Sequence, residues 1–154
     1  MRLTRYLDSD LVFTGLTGRD VKAVLREISS RMAAQLDTIS QEELEAALVE
    51  REEVHTTTLG RGVAIPHATL RGPEDPVLMV ARADEPVQFG PPDTDPVLFF
   101  FVLVSPPGRE REHIKLLARI CRLVRVPEFM DELREAKDAR EILSIIERTD
   151  GEHV

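Results

Sequence analysis

The 154-residue chain predicts an α/β protein: a three-layer α/β/α sandwich around a mixed β-sheet. Three observations carry that expectation. The run Pro96-Val97-Leu98-Phe99-Phe100-Phe101-Val102-Leu103-Val104 has no polar side chain and is rich in Val and Phe, as a central strand covered on both faces requires. Apolar residues at helical spacing precede it twice and follow it three times. A second strand-like run, Val77-Leu78-Met79-Val80-Ala81-Arg82-Ala83, is continuously apolar before it alternates. A sheet buried on both faces needs helices on both sides.

Taken in order, Leu11-Val12-Phe13 is a short apolar segment, followed by Thr17-Gly18-Arg19-Asp20. A threonine with an acid three places on reads as a capping-box-like start, and Val21, Val24, Leu25, Ile28, Met32 and Leu36 follow at helical spacing. A first helix is expected from about Gly18 to Leu36, with Lys22, Arg26, Glu27 and Arg31 as its solvated face. Ser40-Gln41-Glu42-Glu43 repeats the starting signal, and Leu44, Ala47 and Leu48 mark a second helix ending near Arg51. Val87-Gln88-Phe89 reads as a further short strand, and Gly90 to Pro96 as a loop. Ser105-Pro106-Pro107-Gly108 stops the central strand. Ile114, Leu117, Cys121 and Val124, flanked by Leu116 and Ile120, place a helix over Glu110 to Val124 with His113 in its first turn. Pro127-Glu128-Phe129 starts a shorter helix, and Asp138 caps a last one with Ile142, Leu143 and Ile146 inward. The residues after Thr149 read as a loose tail.

Composition narrows the classes. The length suits one domain over residues 1–154, able to bury about 70% of its unfolded surface, with a core at about 7–148. Twenty Lys and Arg against 28 Asp and Glu give a net charge of −8, and no basic stripe is present, which argues against a nucleic-acid partner and for a basic protein one. The single cysteine, Cys121, excludes an internal disulfide and reads as a buried thiol. Met1 to Tyr6 lacks the apolar core of a signal peptide, and no apolar run approaches the roughly 18 residues that span a bilayer. The expectation is a soluble cytoplasmic protein.

The chemistry concentrates in Thr56-Thr57-Thr58-Leu59-Gly60-Arg61-Gly62-Val63-Ala64-Ile65-Pro66-His67-Ala68. Three hydroxyls and a Gly-Arg-Gly turn precede a short apolar strand, which a proline ends immediately before a histidine. Proline cannot donate to a sheet ladder, so the chain is expected to leave the sheet there, with His67 at a strand tip facing a cleft.

The segment Gly60 to Ala68 resembles the phosphorylation-site segment of enzyme IIA domains of the bacterial phosphoenolpyruvate-dependent phosphotransferase system, of the mannitol/fructose and nitrogen-regulatory type. The likeness extends over about Leu7 to Arg148 and implies the same three-layer architecture. It implies that His67 accepts a phosphoryl group from HPr or its nitrogen-branch counterpart. It also implies that an arginine at the preceding helix end, here Arg51, reaches the active histidine. Glu110 to Ala118 resembles the family's second-histidine segment, so that His113 hydrogen-bonds the phosphoryl group without carrying it; a helix's first turn favours an anion through free N–H groups and the dipole.

The chemistry itself needs a neutral imidazole as nucleophile and cationic donors for the phosphoryl oxygens. Arg51 suits the second task by its fork and would lower the pKa of a nearby His67 by like-charge repulsion. Thr57 and Thr58 offer hydroxyls to the phosphate, or serve as ordinary strand residues. Arg61 departs from the small or polar residues associated with the family there: it adds a phosphate contact or meets the donor protein. His55 and His153 read as surface.

No cofactor is expected, and relay between two histidines requires no metal. A metal module built on His55, His67 and His113 is disfavoured, because spacings of 12 and 46 residues match no compact ligand motif. Two readings stand beside a nitrogen-regulatory phosphocarrier: a sugar-uptake IIA component that passes the group to a permease IIB domain, and a regulatory binding domain never phosphorylated at His67. Residues near Leu59, Ala68 and Leu70 are the expected partner surface.

Overall fold

The structure, a computed structural model, describes residues 1–153. After a 3-10 turn at Leu3–Arg5 the elements follow as β1 (Leu7–Leu16), α1 (Val21–Gln35), α2 (Gln41–Val54), β2 (Thr58–Gly60), β3 (Val63–Ala64), β4 (His67–Thr69), β5 (Val77–Val87), β6 (Val97–Ser105), α3 (Glu110–Val124), α4 (Phe129–Glu135) and α5 (Ala139–Glu152). The sheet is mixed, in the order β1-β5-β6-β3-β2, with β4 also pairing β6. β1 runs parallel to β5, β5 antiparallel to β6, and β3 and β4 both parallel to β6.

β6 organises the core, because its side chains alternate between two apolar clusters. Phe100, Val102 and Val104 join Val24, Leu25 and Ile28 of α1 and Leu44 and Leu48 of α2 on one face. Phe99, Phe101 and Leu103 join Leu116 and Ile120 of α3, Leu133 of α4 and Ile142 and Ile146 of α5 on the other. The period of two in a strand sorts consecutive residues onto opposite faces, so one apolar run supplies both halves of the sandwich. The α/β/α layering expected from the sequence is the architecture found.

Several local expectations change. Asp20, rather than Thr17, is the N-cap of α1 and accepts from the Ala23 N–H at 2.8 Å. The Glu27 carboxylate, expected in solvent, instead takes the Thr17 and Gly18 N–H groups. Ser40 caps α2 through the Glu43 N–H, as its pattern implied, but α2 continues one turn past Arg51 to Val54. Val87 belongs to β5 across a register irregularity, so residues 87–89 are no separate strand. Along α3 the buried stripe is Leu116, Arg119, Ile120, Leu123 and Val124, whereas Ile114 is 65% exposed and Cys121 only half-buried. α4 begins at Phe129, after Glu128 in the left-handed region (φ 71°), so Pro127 lies outside the helix.

The largest change is at the end of the chain. α5 continues to Glu152, and Asp150 in it is fully buried. Its carboxylate accepts from Arg119 Nε at 2.9 Å and Nη2 at 2.7 Å, and also from the Thr4 N–H at 3.2 Å. Arg119 Nη1 and Nη2 donate further to the His153 and Asp150 carbonyls. As far as His153 the expected loose tail is therefore an anchor joining the first residues, α3 and α5, and Val154 lies outside the described residues. Removing one partner of a buried pair leaves an uncompensated charge, which costs about 3–5 kcal/mol. Asp150→Ala should lower the unfolding free energy by that much, read as a lower denaturant midpoint at unchanged m-value; a variant within about 1 kcal/mol of wild type, well below that range, would show that the pair holds nothing together.

Candidate functional site

β3 and β4 are two pieces of one interrupted strand beside β6. β3 pairs at Phe99 and Phe100, and β4 at Leu103, Val104 and Ser105. Pro66, which has no N–H to give, sits in the break, where its carbonyl still accepts from the Leu103 N–H at 3.0 Å. The chain thus does not leave the sheet after Pro66: His67 opens β4, in register with Leu103. The expected tip is the start of a new ladder, with β6 as its sheet partner.

The Ile65 carbonyl lies at the break, and His67 Nδ1 is 2.8 Å from it. A carbonyl oxygen only accepts, so Nδ1 carries the proton and Nε2 keeps its lone pair. Arg51 Nε donates to that Nε2 at 3.2 Å. Arg51 comes from the far part of α2, where its Nη1 also donates to the His55 carbonyl at 2.9 Å and so satisfies a free helix-end acceptor. Its neighbour Glu52 takes the Thr57 N–H and hydroxyl, at 2.6 and 2.9 Å, and ties the helix end to the strand that follows.

His113 approaches from the other layer. Its ring centroid is 5.5 Å from that of His67, with the planes 57° apart. His113 Nδ1 lies 2.7 Å from the hydroxyl of Ser105, the buried last residue of β6. The helix end that carries it is held by Arg109, which pairs with Asp75 and Glu112, while Glu112 also accepts from the Tyr6 hydroxyl at 2.8 Å. These donors hold the Glu112 carboxyl down to about 2. The His113 N–H makes the first backbone bond of the helix, to the Arg109 carbonyl, so it is not itself a free donor for an anion, and just before the helix the Glu110 carboxylate takes the Gly108 N–H.

Burial, first, lowers the pKa of both imidazoles below the ordinary 6.5. At His67 the Ile65 carbonyl opposes the change and the Arg51 cation adds to it. At His113 the neighbouring His67 adds to it and Glu110 opposes it. The electrostatic action expected of Arg51 is present, but desolvation comes before it.

Arg51, His67 and His113 share an open cavity of about 360 Å³ with Glu50, Val54 and Thr69. Thr57, Thr58 and Arg61 do not line it. The Thr57 hydroxyl is committed to Glu52, and Thr58 receives the Thr56 hydroxyl at 3.2 Å. Arg61 stands in three successive left-handed residues (Gly60 φ 82°, Arg61 φ 58°, Gly62 φ 78°) and donates to the Val124 carbonyl, at the opposite end of β6 from His67. Among the described residues no three His, Cys, Asp or Glu side chains converge to hold a metal ion, and His55 Nδ1 turns to the Thr56 carbonyl. Thr69 and Ser105 escaped the sequence reading. Thr69 lies two residues beyond His67 on a strand, hence on its face, a relation visible only once residues 67–69 are known to be extended. Ser105 stood only as a strand terminator.

The family model for the phosphoenolpyruvate-dependent sugar phosphotransferase system, EIIA 2, matches residues 5–149. A nitrogen regulatory protein of Bradyrhizobium diazoefficiens is 34% identical over 146 residues, covering 95% of each chain. The crystal structure of nitrogen regulatory protein IIA-Ntr from Neisseria meningitidis superposes with a TM-score of 0.81 at 26% identity, over 92% of this chain and 97% of that one. An Escherichia coli complex of enzyme IIAMTL and phosphorylated enzyme IIBMTL shares the fold, with a TM-score of 0.73 at 16% identity over 92% and 96% of the two chains. With a match that runs through both histidine segments and nearly every element, the chain belongs to the phosphotransferase-system EIIA type-2 family.

Proposed function

We propose that this protein is a phosphocarrier that takes a phosphoryl group on His67 Nε2 from a phosphohistidine carrier, HPr or its nitrogen-branch counterpart, and uses it in regulation. The observation that carries the reading is the pair of bonds on one ring: Nδ1–H on the Ile65 carbonyl and an Nε2 lone pair beside Arg51. In the transfer the donor's N–P bond breaks, its electron pair returns to the donor imidazole, and the His67 Nε2 lone pair forms the new P–N bond. No proton has to move. The ring becomes formally cationic, and the Ile65 carbonyl at its Nδ1–H supports that charge. Arg51 exchanges its contact with the lone pair for the phosphoryl oxygens, where a guanidinium is worth more as a charge-assisted donor. His113 supplies a second donor from the opposite layer.

The regulatory branch is favoured by the names of the full-length relative and the solved IIA-Ntr, both nitrogen regulatory proteins. The sugar branch, with a IIB permease domain as acceptor, is the alternative that the mannitol complex represents. No helix among the described residues is long and apolar enough to cross a membrane, which agrees with work in the cytoplasm beside such carriers. Val54, 78% exposed, lines the cavity from α2, and Ile114, 65% exposed, follows His113 on α3; both offer apolar contact to a partner.

Intact mass after incubation with phosphoenolpyruvate and the purified carriers of each branch tests this. Wild type should gain one acid-labile phosphoryl group and His67→Ala none; labelling of the variant at full rate would sink the assignment, and the faster carrier identifies the branch. Followed by NMR, His67 and His113 should both titrate below 6.5. Arg51→Met should raise the His67 midpoint only part of the way, since burial stays. Because the folded rings bind protons less readily than the unfolded chain, the stability they contribute is complete above pH 6.5 and is lost as pH falls from there through their folded values. A His67 midpoint above 6.5 would contradict the desolvated ring.

A further inference from the structure

Ser105 ends the row Phe99, Phe101, Leu103, Ser105, which strand alternation puts on the α3 side of the sheet. It is the polar member of that row, 1% exposed, with its carbonyl taken by the Leu70 N–H at 2.9 Å and its hydroxyl 2.7 Å from His113 Nδ1. A serine hydroxyl either donates or accepts, so the distance alone fits two proton arrangements. The chemistry of the cavity separates them, and this step rests on the phosphocarrier reading above. Phosphoryl oxygens only accept, so His113 must present an N–H to them. Nδ1 faces Ser105, which leaves Nε2 for that task. A neutral imidazole with its proton on Nε2 has a lone pair on Nδ1, and a lone pair at 2.7 Å from a hydroxyl requires the hydroxyl to donate.

We propose that Ser105 is a positioning residue whose hydroxyl donates to His113 Nδ1 and fixes that ring in the tautomer carrying its proton on Nε2, toward the phosphoryl group on His67. The opposite arrangement, with Nδ1–H donating to Ser105, would aim a second lone pair at the phosphoryl oxygens. Burial and the adjacent His67 keep the ring from resolving the choice by taking up both protons near neutral pH. The serine sits on the same ladder as His67, because β4 pairs His67 with Leu103 and Thr69 with Ser105. One strand therefore sets the distance between the acceptor and the residue that orients its helper.

The test is imidazole nitrogen NMR of the 15N-labelled full chain near pH 7.5, before any phosphoryl transfer, on wild type, Ser105→Ala and Ser105→Thr. Expected is a proton-bearing Nε2 and a proton-free Nδ1 on His113 in wild type, a tautomer-averaged pattern in Ser105→Ala, and the wild-type pattern restored in Ser105→Thr. Phosphoryl transfer to Ser105→Ala should slow about tenfold, the size of a charge-assisted hydrogen bond lost from the reacting complex. A proton on His113 Nδ1 in wild type overturns the proposal, whatever the variants do. So does a Ser105→Ala protein that melts earlier yet keeps the wild-type nitrogen pattern, because Ser105 would then serve packing alone. If wild type takes no phosphoryl group from either carrier, the phosphocarrier reading fails, and the nitrogen pattern still decides which way the Ser105 hydroxyl points.

Discussion

The burial of β6 on both faces is the constraint on which the rest of the molecule depends. A strand with no polar side chain before its last residue, Ser105, must be covered twice, and the covering is done by α1 and α2 on one side and by α3, α4 and α5 on the other. The functional cavity follows from that covering. His67 is held on the ladder of β6 itself, while Arg51 reaches it from the α2 layer and His113 from the α3 layer. Neither layer alone could surround the ring. The site lies where the two helical layers meet over the C-terminal end of one strand, the usual place for ligands in α/β sheets because both layers contribute there.

The electrostatics of that place are set mainly by desolvation. A half-buried imidazole between two layers resists protonation before any neighbour is considered, and the guanidinium then reinforces the neutral state. Under the proposed phosphocarrier function Arg51 serves both conditions of the ring, since a guanidinium repels a proton and would attract a phosphoryl dianion. It is also engaged structurally, with Nη1 on the His55 carbonyl at the end of α2. The cation is thereby oriented in advance, which would lower the reorganisation needed in the proposed transfer.

The sequence was most legible where one physical cause dominated. Apolar periodicity together with cap and proline signals located the five helices of the described residues, and the polar-free run located β6, because burial decides most of those segments. Cap positions that rest on a single side chain were read less well, since Thr17 and Asp20 are both good caps and only tertiary contacts choose Asp20. The pairing of Arg51 with His67 came from the resemblance and is a contact in space between residues 16 apart. For Thr57 and Arg61 the sequence left a phosphate contact beside a plainer role, and in space the Thr57 hydroxyl goes to Glu52 and the Arg61 guanidinium to the Val124 carbonyl. Asp150 was invisible for another reason: a polar residue near the end of the chain reads as solvent-exposed unless its partner, 31 residues earlier, is already known to lie inside.

That buried pair also restricts how positions 119 and 150 can vary. Arg119 uses Nε, Nη1 and Nη2 in one plane, toward the Asp150 carboxylate and two main-chain carbonyls. Lysine carries the same charge on one tetrahedral nitrogen and cannot reproduce that planar fork, so the substitution usually counted as mild is a severe one here. A well-packed apolar couple introduced at both positions together would remove the charges and the demand for partners at once. The two sites therefore change as a unit, through a coordinated double replacement whose separate single steps are each unfavourable.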